Sequence, residues 1–175
     1  MIYKNLFTSE IRYDGFEPVE FYDCQIPKII CPNTVDIVCV GCGVESLTCD
    51  KAINIYCGNN RLTELKCDNA LYVSCPDNLI TNISCPNAQT IVVFNNPLED
   101  IYCPKVELLK CQNTRLTYID CPMIKSINYD IYHGNQLIVI PILPTIDYLG
   151  KQRFNYPIIK RELNARNTKS SRLSK

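Results

Sequence analysis

The chain has 175 residues, enough for one domain with a sizeable core, and its 18 Lys and Arg balance 18 Asp and Glu. A zero net charge gives no whole-protein field that would select nucleic acid or an anionic membrane. No stretch approaches the roughly 18 apolar residues of a transmembrane helix, and no apolar leader follows Met1, so a reducing, cytoplasmic setting with free thiols is expected.

Residues 1–12 read as a cap, with Ile2, Leu6 and Phe7 turned to the first coil. From Tyr13 onward the sequence repeats every 18 residues. Cys31, Cys49, Cys67, Cys85, Cys103 and Cys121 mark position 1 of the repeat. Position 4 is small or apolar: Ala52, Ala70, Ala88, Val106 and Ile124. Position 7 is always aliphatic, from Ile37 and Ile55 to Leu109 and Ile127. Position 9 carries a second thiol series, Cys39, Cys57, Cys75 and Cys111, with Val93 in the one gap. Position 12 is Asn60, Asn78 and Asn96, with Cys24, Cys42 and Thr114 as variants. Positions 14 and 17 are aliphatic again.

Positions 7 and 9 alternate with variable 6, 8 and 10, the pattern of a strand with one buried face. Identical strands one repeat apart can stack only as a parallel sheet. Positions 14, 17 and 1 form a second inward-facing run. It ends at Pro32, Pro86, Pro104 or Pro122, for which an extended or polyproline-like path is expected. A helix on that side is not expected. A hexapeptide β-helix fails at position 13, which reads Gly43, Arg61, Leu79, Pro97 and Arg115.

The columns Ala52-x-x-Ile55-x-Cys57-x-x-Asn60-x-Leu62 and Ala70-x-x-Val73-x-Cys75-x-x-Asn78-x-Ile80 match the signature of leucine-rich repeats. The chain therefore resembles a leucine-rich repeat protein over about residues 13–150. After an insertion of about three residues at Tyr129–Gly134, the run Asn135-x-Leu137-x-x-Ile140-Pro-Ile-Leu143-Pro looks like the short repeats of bacterial effectors. The cysteine content is also similar to that of repeat proteins of large DNA viruses of amoebae. The resemblance implies a solenoid of 18-residue coils, with a parallel sheet on one side and extended segments on the other. It also implies a non-enzymatic protein-interaction module, viral in origin, working in a host cytoplasm or virion. Asn at position 12 would satisfy the backbone of the turn after each strand.

Residues 1–150 carry 10 Lys and Arg against 17 Asp and Glu, while residues 151–175 carry 8 against one. The body is acidic and the C-terminal segment basic. Pro157–Leu163 suits a short capping helix and 167–175 a disordered end. Nucleic acid would bind only through this segment, if at all.

Chemistry finds little footing. Cys39-x-x-Cys42, with Cys24 and Cys57, has zinc-like spacing, but the repeat already explains each of these thiols, so no metal or cofactor is expected. Rung-to-rung disulfides would meet the ~4.8 Å strand spacing, longer than the ~3.8 Å preferred between bridged Cβ atoms. His133 is a lone loop residue with no nucleophile assigned to it, so no enzyme is expected. The outward positions of the strand are instead rich in apolar groups: Tyr22, Val38, Val40, Tyr56, Tyr72, Val92, Phe94 and Leu108, with Lys110. Such a face is expected to bind a protein partner. The alternatives are a structural or self-associating protein and a thiol or metal protein.

Overall fold

The computed structural model describes residues 1–128 and the strand Asp147–Tyr148. Expectations placed on His133, on most of 135–149 and on 151–175 concern residues outside these.

The chain winds into a β-solenoid with one repeat per coil. In chain order the strands are β1 (Ile2–Lys4), β2 (Glu10–Arg12), β3 (Val19–Tyr22), β4 (Lys28–Ile30), β5 (Asp36–Val38), β6 (Ser46–Thr48), β7 (Asn54–Tyr56) and β8 (Glu64–Lys66). They continue as β9 (Tyr72–Ser74), β10 (Asn82–Ser84), β11 (Thr90–Val92), β12 (Asp100–Tyr102), β13 (Leu108–Lys110), β14 (Tyr118–Asp120), β15 (Ser126–Asn128) and β16 (Asp147–Tyr148). No helix occurs among the described residues.

Every pairing is parallel. From coil to coil the partners are 18 residues apart, as in Ile37↔Ile55, Val73↔Ile91 and Leu109↔Ile127. Odd-numbered strands up to β15, followed by β16, form a first sheet of nine strands along one side. Even-numbered strands form a second side in three pieces, β2-β4-β6, β8-β10 and β12-β14. Residues 1–12 close the stack as a coil in register, because β1 pairs with β3 and β2 with β4. At the other end Ile127 pairs with Tyr148, 21 residues on, which is one repeat plus the three-residue insertion.

Inside, the columns form one core. Positions 1, 7, 9 and 14 are buried throughout the described coils from Val19 to Ile127. Fully burying a Leu, Ile or Val side chain stabilises by ~1.5–3 kcal/mol, and each coil adds several. The thiol column at position 9 widens to aromatics at the N-terminal end. There Tyr3 stacks on Phe21 with ring centroids 5.1 Å apart and planes 8° apart.

Two turns close each coil, and they use different chemistry. After the first sheet the residue at position 11 adopts left-handed backbone in each coil among the described residues: Asn5, Asp23, Gly41, Asn59, Asp77, Asn95 and Asn113, with φ from 51° to 68°. Asn, Asp and Gly are the residues that accept this conformation at low cost. The neighbouring Asn at position 12 turns inward. Asn60 Oδ1 accepts from the N–H groups of Cys42 and Val44 at 3.0 Å each, and its Nδ2 donates to the carbonyls of Cys39, Cys57 and Gly58. Asn78 and Asn96 repeat the arrangement one and two coils on. Cysteine at this position reaches equivalent acceptors. The Cys42 thiol lies 3.5 Å from the carbonyls of Phe21 and Val40.

The second turn overturns the polyproline expectation. Ala52 N–H donates to Cys49 O at 3.0 Å, and Ala88, Val106 and Ile124 do the same to Cys85, Cys103 and Cys121. Positions 1–4 are therefore a β-turn, and Pro at its second residue supplies the φ that the turn needs. The small side chain at position 4 points back into the core. The segments before this turn are extended, as expected, and pair as strands.

Candidate functional site

The outward side chains of the first sheet stand in three rows, at positions 6, 8 and 10. The repeat places them, since inward 7 and 9 leave 6 and 8 no other direction. The structure divides the residues expected on this face into two groups.

Toward the N-terminal end, Tyr22 is 41% and Tyr56 38% exposed, with Val38 and Tyr72 half-buried. Tyr56 and Tyr72 are diagonal neighbours with ring centroids 5.1 Å apart and planes tilted by 33°. The Tyr22 hydroxyl donates to Glu20 at 2.5 Å, and the Lys4 ammonium lies 5.9 Å from the Tyr22 ring centroid. That hydrogen bond, first among the causes, pushes the phenol pKa upward. Val38 and Tyr56 share a shallow groove of about 360 Å³ with Pro18, Glu20, Asp36 and Asn54. Asn54 Nδ2 donates to Asp36 Oδ1 at 2.6 Å across one rung.

Toward the C-terminal end the face is less available. Val92 is a correction: it is 8% exposed and belongs to the interior of the surface layer, with Ser74 and Lys110 beside it in the ladder. Phe94 and Leu108 are half-buried and Lys110 is exposed. Val40, at the edge of the face, is 51% exposed.

Selecting apolar side chains missed Glu20, Asp36 and Asn54. They occupy the same outward rows, so the alternation itself could have found them. It also missed the second sheet, whose outer rows at positions 16 and 18 present Tyr102 and Tyr118, exposed by 63% and 45%.

All of the thiols are buried, and none is joined in a disulfide. Cys57 Sγ and Cys75 Sγ, on adjacent rungs, lie 3.0 Å apart. Burial, the leading cause in each case, pushes Cys31, Cys85 and Cys121 up to about 12 and Cys42 and Cys103 up to about 11. Cys39 rises because it donates to Cys57 and is buried. Cys67 moves the other way, through hydrogen bonding with Cys49 and the nearby N–H groups of Asn69 and Ala70. A protonated, water-excluded thiol is a poor nucleophile and a poor ligand. Among the described residues no group of three or more His, Cys, Asp or Glu is arranged to hold a metal ion.

Comparison with protein families, with curated proteins and with solved structures returned no match.

Proposed function

We propose that the chain is a non-enzymatic interaction module of leucine-rich repeat type, which binds a partner protein on the outer face of its first sheet. The observation that carries this reading is the cluster of Tyr22, Val38, Tyr56 and Tyr72 around the groove at Glu20 and Asp36. Tyr side chains on a rigid backbone offer large contact area at low entropic cost, and they are frequent anchors of protein interfaces. Carboxylates beside them favour a partner that brings basic side chains. The resemblance to effector and amoebal-virus repeats favours a host protein as the partner and a cytoplasmic place of action.

A pull-down from the natural cellular setting tests the proposal. Wild type is compared with a variant carrying Tyr56→Ser, Tyr72→Ser and Phe94→Ser, and with a second-sheet control carrying Tyr102→Ser. Loss of a specific partner in the first variant and its retention in the control is the expected result, with affinity reduced by roughly 30-fold or more per anchor. If the triple variant keeps every partner, the first sheet is not the binding face.

A further inference from the structure

We propose that the outer face of the second sheet, at β12 and β14, docks the chain's own basic segment, residues 151–175. This inference concerns a different surface from the partner face and does not depend on it.

The surface is a checkerboard. Asp100 pairs with Tyr118, and Tyr102 pairs with Asp120, so two phenol rings and two carboxylates alternate on adjacent strands. Glu99 stands beside them, exposed like Asp100. The Tyr118 hydroxyl lies 3.4 Å from Asp120 Oδ2. Among the described residues, the ion pairs of the solenoid use Glu10, Asp14, Glu45 and Glu107, and none engages Glu99, Asp100 or Asp120. The outer rows of these two strands contain no basic side chain.

An aromatic ring beside a carboxylate suits a Lys or Arg side chain. The charge meets the carboxylate, while the stem and the π-face meet the ring. Residues 151–175 bring eight such side chains and one Glu. The chain length permits the contact. Lys160 lies 12 residues beyond Tyr148, which an extended chain converts to a reach of ~40 Å. The checkerboard lies two to three rungs back along the stack from β16, ~10–15 Å, and one sheet-to-sheet distance across, ~10 Å. A tethered segment also meets the surface at an effective concentration in the millimolar range, which makes individually weak exposed ion pairs sufficient.

Two measurements on the full chain decide the matter. A carbodiimide, which joins a Lys amine directly to a carboxylate, is applied to an equal mixture of ¹⁴N- and ¹⁵N-labelled protein. The expected product links Lys160 or Lys169 to Glu99, Asp100 or Asp120 within single-isotope chains. It should fall by about fivefold in ~0.5 M NaCl, where the screening length is about 4 Å. In the second measurement, trypsin cleavage after Arg153, Arg161 and Arg166 should be about tenfold faster in the variant Glu99→Gln, Asp100→Asn, Asp120→Asn than in wild type at low salt. These substitutions lie on outward side chains, and an unchanged circular dichroism spectrum checks the fold. Links spread equally over Asp14, Glu17, Asp50 and Asp68, links that are chiefly mixed-isotope, or equal cleavage rates would each overturn the proposal.

Discussion

The first sheet runs unbroken through nine strands, while the second, built from the same coils, is interrupted twice. The interruptions are specific. Cys31, Cys67 and Cys103 donate their N–H groups to the carbonyls of Thr48, Ser84 and Asp120 one coil on. The ladder lacks a β6–β8 pairing and a β10–β12 pairing, the places where Cys49 and Cys85 would continue the series. On the first sheet the corresponding donors are continuous from Cys39 to Tyr56 through Cys111 to Asn128. The difference lies in the turns. The first sheet runs into a left-handed residue and an inward Asn, which bonds both its own coil and the one before. The second runs into a Cys-x-x-Ala β-turn whose backbone bond closes within its own coil, and exposed side-chain bonds from Asn33, Asn69 and Asn87 link it to the coil before. Coil-to-coil register is therefore held more firmly on the side of the first sheet, by buried rather than exposed side-chain bonds, and that is the side of the proposed partner face.

The largest test acts on both thiol columns together. The folded values of Cys85, Cys103 and Cys121 lie at about 11–12, above the ordinary thiol value. Up to about pH 7.5 these thiols hold the same protons in the folded and unfolded chains, so their contribution to stability is flat with pH. Above that the unfolded chain loses protons that the folded chain keeps, and stability falls until pH passes the folded values. At pH 10 each such thiol costs about 2 kcal/mol, so these three alone remove about 6 kcal/mol. Urea titrations under reductant at pH 7, 8.5 and 10 should show this decline. Thiolate absorbance at 240 nm should rise chiefly as the circular dichroism is lost, Cys67, which is held lower, being the thiol that ionises in the folded chain. Absorbance of several thiolates in a chain that stays folded would show that the columns admit water.

The two corners can then be set against each other. Asn78→Leu leaves Leu62 N–H and the carbonyls of Cys57, Cys75 and Pro76 without this partner, all in or near the core. The expected loss is about 2–4 kcal/mol. Asn87→Ala, in the other turn, removes an exposed bond to Asp68 O of the coil before and should cost about 0.5–1 kcal/mol. Urea midpoints measure both. Equal losses would mean that the two corners hold register equally, and the comparison would fail.

Much of this architecture was legible because a period of 18 residues leaves little freedom. Once Ile55, Val73 and Ile91 share a position, only a parallel stack satisfies them, and the inward and outward rows follow. The left-handed turn was equally visible at Asn59, Asp77 and Asn95, but it lay beside the more conspicuous Asn column and was passed over. The β-turn was masked by Pro, which reads the same in a turn and in an extended path until the Ala88 N–H finds Cys85 O. The cover over Val92 was not legible, because alternation gives the direction of a side chain and not how closely its neighbours cover it. The checkerboard of Asp100, Tyr102, Tyr118 and Asp120 was hidden because the second inward run did not announce itself as paired strand.

The smallest effect tests the interruptions directly. A missing inter-strand hydrogen bond costs a backbone amide ~1 kcal/mol of protection, or about a fivefold faster hydrogen exchange. The amides of Cys49 and Cys85 should therefore exchange about fivefold faster than those of Cys67 and Cys103, although all four belong to one column and one turn type. Cys57 and Cys75, whose N–H groups donate to Ser74 O and Val92 O, should be the slowest of the set. Exchange at Cys49 as slow as at Cys57 would mean that the second sheet is as continuous in solution as the first. Register would then be held from both sides of the coil.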